Sequence, residues 1–176
     1  DAKGRSRLSL ATRSDLPLAA QITASGATWI DHQLLAREPA TAGNAFGREV
    51  REAMDRRADH LVAQGLARRQ GQRVVFARDL LSTLRRRDLE EASARLAAET
   101  GLMHRPSAEG EHVAGRYRQR VTLSSGRFAM IDDGLGFQLV PWRPALERHL
   151  GRQVAGALSA GGRVDWNFGP KRGLGV

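Results

Sequence analysis

Residues 113–140 read VAGRYRQRVTLSSGRFAMIDDGLGFQLV, and this stretch decides the fold of the C-terminal half of the chain. Three runs of strand-forming residues are separated by the turn segments Ser-Ser-Gly and Asp-Asp-Gly. Short runs bounded by such turn residues are typical of antiparallel strands joined by hairpins. We therefore predict strands at residues 113–123, 127–131 and 136–140.

The strand pattern continues toward the C-terminus. A proline-flanked segment at residues 142–150, WRPALERHL, predicts a short helix, and two further strands are predicted near residues 152–158 and 163–168. Five short strands with a helical turn before the last two are typical of an SH3-like β-barrel. We expect this barrel over residues 101–168, followed by a basic tail at 169–176.

Upstream of this β-rich region, capping residues and hydrophobic spacing predict four helices. The first begins near Ser14, and the second has Thr28 as its N-cap with Asp31 three positions later. The third covers about residues 44–64 and the fourth about residues 79–100.

A β-hairpin is predicted between the third and fourth helices, because residues 66–69 and 73–77 flank a Gln-Gly-Gln turn. Three short helices followed by a basic hairpin is the arrangement of a winged helix. We therefore predict an α+β protein, with a basic arm at 1–13, a helical winged-helix-like domain at 14–100 and the SH3-like β-barrel at 101–168.

Composition limits both the chemistry and the partners of the 176 residues. The absence of cysteine excludes disulfides, cysteine-ligated zinc and a thiol nucleophile. Lys and Arg number 28 against 19 Asp and Glu, and a net charge of +9 favours a polyanionic partner such as DNA. The absence of cysteine also predicts a reducing, cytoplasmic setting. Because no apolar run reaches about 18 residues, we predict no membrane insertion.

No combination of residues indicates catalysis, a metal site or a cofactor. The five histidines lack the His-x-His and His-Glu-x-x-His spacings of metal ligands. Asp132 and Asp133 could act as paired carboxylates, but a tight turn explains Asp-Asp-Gly between two strands better. Tyr117, the one tyrosine, is expected in the core. We predict no catalytic residue, no metal ion and no cofactor in this segment.

The hairpin is the clearest candidate for DNA contact in the helical domain. The third helix carries as many acidic as basic residues, so it is a poor candidate for reading a DNA groove. Residues 65–78, in contrast, contain four arginines and no acid: Arg68, Arg69, Arg73 and Arg78. We expect these arginines to bind phosphates rather than bases.

A second candidate surface lies on the first strand of the β-region. Strict alternation would place Arg116, Arg118 and Arg120 on one face of that strand. Their spacing of about 7 Å is close to the phosphate step of one nucleic-acid strand. The alternative is a solvated face of an edge strand, which its charge protects from unwanted pairing.

Three stretches resemble a known family: GATWIDHQLLARE at residues 26–38, GRFAMIDDGLGFQLVPWRPALERHLGRQV at 126–154 and VDWNFGPKRGLGV at 164–176. They resemble the C-terminal region, of unknown function, of VirD-type conjugative relaxases. The resemblance implies a bacterial protein that mobilises a plasmid or an integrative element. Such relaxases nick DNA with a tyrosine and a histidine-bound metal in an N-terminal domain, and no position here matches those motifs.

The resemblance therefore implies an accessory role within a longer relaxase, and two hypotheses remain open. The first is a non-catalytic module that binds single- or double-stranded DNA with low sequence specificity. The second is a protein-interaction module that docks the relaxase on the type IV coupling protein and is exported with it. The basic tail residues Lys171 and Arg172 match the family's translocation signals. A free-standing winged-helix regulator is a more distant third interpretation.

Overall fold

The computed structural model describes residues 16–36 and 45–168 and confirms a mixed α+β fold, with helices first and a six-stranded sheet second. The chain divides into two compact units, unit 1 at Asp1–Asp88 and unit 2 at Leu89–Val176. This division falls inside the fourth helix. The boundary predicted from the sequence, between residues 100 and 101, lies after that helix.

Unit 1 begins with three helices, α1 at Leu18–Ile22, α2 at Trp29–Leu35 and α3 at Ala45–Ala63. The predicted cap of α2 is confirmed. The Thr28 side chain accepts a hydrogen bond from the Asp31 N–H, and the Asp31 carboxylate accepts one from the Thr28 N–H at 2.8 Å. Ser14, the predicted start of the first helix, lies outside the described residues.

The predicted hairpin follows α3, with β1 at Ala67–Gln70 and β2 at Arg73–Phe76. Its turn uses Gly71 at a φ of 63°, a left-handed conformation that favours glycine. Helix α4 then runs over Leu80–Thr100, close to the predicted range. A buried apolar cluster of unit 1 contains Ala27, Leu61, Leu66, Leu80 and Leu84.

The second half of α4 belongs to unit 2. Ala92 and Leu96 are buried among residues of the β-sheet, whereas Leu84 is buried in unit 1. The apolar partners of the helix therefore change along its length, and this change places the boundary between the units inside α4.

Unit 2 contains a sheet with strand order β3-β6-β5-β4-β7-β8. The elements are β3 at Met103–His104, β4 at His112–Leu123, β5 at Gly126–Asp132, β6 at Gly136–Pro141, a 3-10 helix at Pro144–His149, β7 at Gln153–Leu158 and β8 at Val164–Asn167. The five predicted strands and the helical turn are confirmed. Strand β3, which pairs in parallel with β6, was missed because two residues are too short to show an alternating pattern.

The closed barrel is wrong: in the part of the chain that the structure describes, β3 and β8 form the two edges of an open sheet. The two faces of this sheet are covered differently. Met130 and Phe137 are buried with the second half of α4, whereas Tyr117 and Ile131 belong to a separate core on the opposite face. The second half of α4 therefore covers one face of the sheet, and the 3-10 helix contributes Leu146 to the core on the other face.

Candidate nucleic-acid interface

Arg57 of α3 is fully buried inside unit 1. Its Nε and Nη2 atoms donate to the two carboxylate oxygens of Asp31 at 2.8 and 2.9 Å. Its remaining N–H groups donate to the backbone carbonyls of Ile22, Ala24 and Gly26. These acceptors occupy all five N–H groups of the guanidinium, so Arg57 is not available to a ligand.

His60 lies one turn further along α3 and is half-buried. Burial lowers the pKa of His60, and the nearby Arg57 charge lowers this pKa further. His60 is therefore neutral at neutral pH and contributes no positive charge to the surface of α3.

The burial of Arg57 changes the charge that α3 presents to solvent. The helix has four arginines and four acidic residues, but one of the four arginines is buried. The exposed charged residues are Arg48, Arg51, Arg56, Glu49, Glu52, Asp55 and Asp59. The surface of α3 is therefore acidic overall, which disfavours contact with DNA.

The hairpin separates its three strand arginines onto two faces, although all are exposed. Strand register places Arg68 and Arg73 on one face and Arg69 on the other. Phe76 lies on the same face as Arg69 and packs against the core of unit 1. Arg69 itself forms an ion pair with Asp59 of α3. Arg68 and Arg73 therefore share the outer face of the hairpin.

The predicted arginine stripe on β4 is wrong, because a β-bulge interrupts the strand. Arg118 is the inserted residue, since Tyr117 and Gln119 on its two sides pair with adjacent residues of β5. One extra residue reverses the alternation of side chains. Arg116 and Arg120 consequently point to opposite faces of the sheet.

Arg116 and Arg118 are each held by a contact within unit 2. The Nε atom of Arg116 donates to the Gly151 carbonyl at 2.8 Å. The Nη1 atom of Arg118 pairs with the Asp132 carboxylate at 3.2 Å. Both arginines remain exposed to solvent, but they have different partners and directions and do not form one surface.

Arg120 lies beside an indole ring. Its guanidinium carbon is 5.1 Å from the ring centroid of Trp142, and that of Arg127 is 5.8 Å from the same centroid. The Trp142 Nε1–H donates to the Tyr117 hydroxyl at 3.0 Å. Burial raises the pKa of Tyr117, so its hydroxyl is protonated at neutral pH. Tyr117 is a core residue, as predicted.

The Asp-Asp-Gly segment forms a tight turn, as predicted. The Oδ1 atom of Asp133 accepts hydrogen bonds from the N–H groups of Leu135 and Gly136, both at 2.9 Å, and Oδ2 pairs with Arg105 at 2.6 Å. The hydrogen bond from Leu135, more than any other interaction, holds the pKa of Asp133 below its usual value. The carboxylate of Asp132 is likewise engaged, with Arg118. The turn and its ion pairs account for both carboxylates.

Comparison with protein families finds a match over residues 1–175, nearly the whole chain. The chain belongs to the family described as "Protein of unknown function (DUF3363)". Comparisons with curated proteins and with solved structures gave no significant match.

Three predicted site residues of the DUF3363 chain remain. Arg78 is exposed between β2 and α4, and Lys171 and Arg172 lie outside the described residues. Within residues 16–36 and 45–168, no group of His, Asp and Glu is arranged to hold a metal ion. None of the helices in these ranges combines the length and the apolar character that a membrane crossing needs.

Proposed function

We propose that this chain is a non-catalytic accessory module of a conjugative DNA relaxase, and that it binds DNA through phosphate contacts. The resemblance to the C-terminal region of VirD-type relaxases and the net charge of +9 support this function. In this proposal the parent protein is the DNA-nicking enzyme. It acts in the bacterial cytoplasm and passes through a type IV secretion channel with this module attached.

The observation that carries the proposal is the pair Arg68 and Arg73 on the outer face of the hairpin. Both side chains are exposed and share one face, and residues 65–78 contain no acid. The adjacent helix α3 exposes more acidic than basic side chains. DNA carries a dense negative charge, so the hairpin is favoured over α3 as its contact in unit 1.

The order of elements supports a winged-helix-like interpretation of unit 1. Three helices precede a β-hairpin, which corresponds to the wing of such domains. In this interpretation the wing carries the phosphate contacts. Sequence preference is then expected to be weak, because phosphate contacts position a protein on DNA without reading bases.

A salt titration of DNA binding tests the hairpin contact. We expect the double variant Arg68→Gln/Arg73→Gln to bind duplexes of about 20 base pairs more weakly than the parent chain, equally for transfer-origin and scrambled sequences. Loss of two phosphate contacts should reduce the slope of log K against log salt by about 1.8. Fluorescence anisotropy over a range of salt concentrations measures both quantities.

The matched control is Arg51→Gln/Arg56→Gln on α3, which removes the same charge from two exposed positions. This control should leave affinity and salt slope close to those of the parent. An equal loss in both double variants would show only a dependence on net charge and would contradict a contact at the hairpin. No measurable duplex binding by the parent chain would overturn the proposed function.

A second candidate function is docking on the type IV coupling protein, and one observation in unit 2 favours it. Leu135 is 85% exposed and Met103 is 74% exposed, and Met103 pairs with Gly136, the neighbour of Leu135. Both residues lie at the start of the β3–β6 pairing, and exposed apolar side chains are suited to contact with a protein. Capture of the coupling protein should then be lost in Met103→Ser/Leu135→Ser, and deletion of residues 169–176 tests the tail separately. Full capture by both variants would contradict this function.

A further inference from the structure

One face of the sheet extends past its buried core, and three residues lie there: Arg120, Arg127 and Trp142. Arg120 pairs with Ala129, which belongs to the core that contains Val140. Arg127 lies two residues before Ala129, and Trp142 lies two residues after Val140 and packs against the same core. Because side chains two apart share a face, the three residues lie on one side of neighbouring chain segments. We call this group the Trp142 platform.

The platform is held in position by the fold. The Trp142 N–H donates to the Arg127 carbonyl at 3.0 Å, which fixes the backbone of the two segments together. The indole Nε1–H donates to the buried Tyr117 hydroxyl at 3.0 Å, which fixes the ring. Both guanidinium groups lie within cation–π distance of that ring, and both arginines are exposed.

Two other arginines of unit 2 form ion pairs with carboxylates, and Arg120 differs from them. Arg118 pairs with Asp132, and Arg105 pairs with Asp133. Arg120 makes no ion pair with any residue in the described ranges. The guanidinium of Arg120 is exposed beside the Trp142 ring, and an anion bound there would balance its charge.

The combination of groups indicates the class of anion. Guanidinium groups bind phosphates through planar, paired hydrogen bonds, and they also stack on flat rings. Single-stranded nucleic acid presents phosphates together with unpaired bases, and its binding proteins combine positive charge with aromatic side chains. A free phosphate would use the arginines but not the ring.

We propose that the Trp142 platform binds single-stranded nucleic acid, with phosphates on Arg120 and Arg127 and a base stacked on the arginine–indole layer. This inference rests on the proposed nucleic-acid function but uses residues of unit 2 that the hairpin contact does not involve. The chain then has two separate contacts, one for duplex phosphates in unit 1 and one for a single strand in unit 2.

Binding of oligothymidylate and oligouridylate of about 15 nucleotides tests the platform. We expect Arg120→Gln/Arg127→Gln to weaken binding of the single strands about fivefold or more, and Trp142→Leu to do the same. Arg120→Lys/Arg127→Lys should restore only part of the affinity, because lysine keeps the charge but cannot stack. Thermal unfolding of each variant identifies any that has lost its fold.

The matched control is Arg152→Gln/Arg163→Gln, which removes two exposed arginines from the same unit. The platform is supported if this control binds single strands like the parent while the platform variants do not. Equal binding by control and platform variants would overturn it, as would weakened binding of inorganic phosphate with unchanged binding of single strands. Loss of single-strand binding in Arg68→Gln/Arg73→Gln, with unchanged binding by the platform variants, would place the single-strand contact on the hairpin and would overturn the platform.

Discussion

At the scale of single residues, Arg57 connects the first three helices of unit 1. Its guanidinium binds Asp31 at the start of α2 and backbone carbonyls at and just after the end of α1, while its backbone belongs to α3. A buried ion pair is weak evidence for stability by itself, because both charges lose their hydration. Removal of one partner is different, since the other charge is then left buried without compensation.

We predict that Arg57→Met lowers the unfolding free energy of unit 1 by about 3–5 kcal/mol. The variant leaves the Asp31 carboxylate buried and removes the donors to the Ile22, Ala24 and Gly26 carbonyls. Native-state amide hydrogen exchange of α3 measures this free energy. The control is Arg56→Met at the exposed neighbouring position, with an expected change of about 0.5 kcal/mol or less. Similar values for both variants would contradict the importance of the buried pair.

At the scale of elements, β4 belongs to two ladders that barely overlap. Its residues 112–116 pair with β7 and its residues 116–123 pair with β5, so that only Arg116 takes part in both. The bulge at Arg118 lies just after this change of partner. It moves the later residues of β4 to the opposite faces, which brings Arg120 to the Trp142 platform and Val121 to the core beside α4.

We predict that Gly115→Ala destabilises unit 2, because a Cβ at this position would overlap the backbone carbonyl of Asp132. Relief of the overlap requires the backbones of β4 and β5 to move apart, with an expected cost of about 1–3 kcal/mol. Ala114→Ser on the exposed side of the same strand is the control, with an expected change below about 0.5 kcal/mol. Urea unfolding followed by tryptophan fluorescence compares them, and an unchanged midpoint for Gly115→Ala would refute the close approach.

At the scale of the whole molecule, a single helix supplies core residues to both units. The first half of α4 places Leu80 and Leu84 in unit 1, and the second half places Ala92 and Leu96 in unit 2. The two sets of core partners have no residue in common. We therefore expect each half of the helix to stabilise its own unit.

We predict that Leu84→Ala and Leu96→Ala destabilise different units, each by about 2–5 kcal/mol, because each leaves a cavity in a different core. Hydrogen exchange should accelerate in α3 and the hairpin for Leu84→Ala, and in β5 and β6 for Leu96→Ala. Equal acceleration in both units by either variant would show that they unfold as one and would contradict the independence of the two cores.

By itself, the sequence determined the order and type of the elements and several of their ends. Thr28 with Asp31 caps α2, Gly71 allows the hairpin turn, and Asp133 closes the turn between β5 and β6. These signals work because each depends on atoms only a few residues apart. The strand that was missed, β3, has two residues and carries no such signal.

The tertiary structure alone decided which arginines reach solvent and in which direction. Arg57 is hidden because it meets Asp31, a residue 26 positions away, and no local pattern connects the two. Arg120 meets Trp142 because a bulge changes its face, and strict alternation predicts the opposite. The cover of one sheet face by α4 likewise brings together residues far apart in the sequence. Each of these outcomes depends on packing between distant parts of the chain, whereas periodicity and turn residues report only on near neighbours.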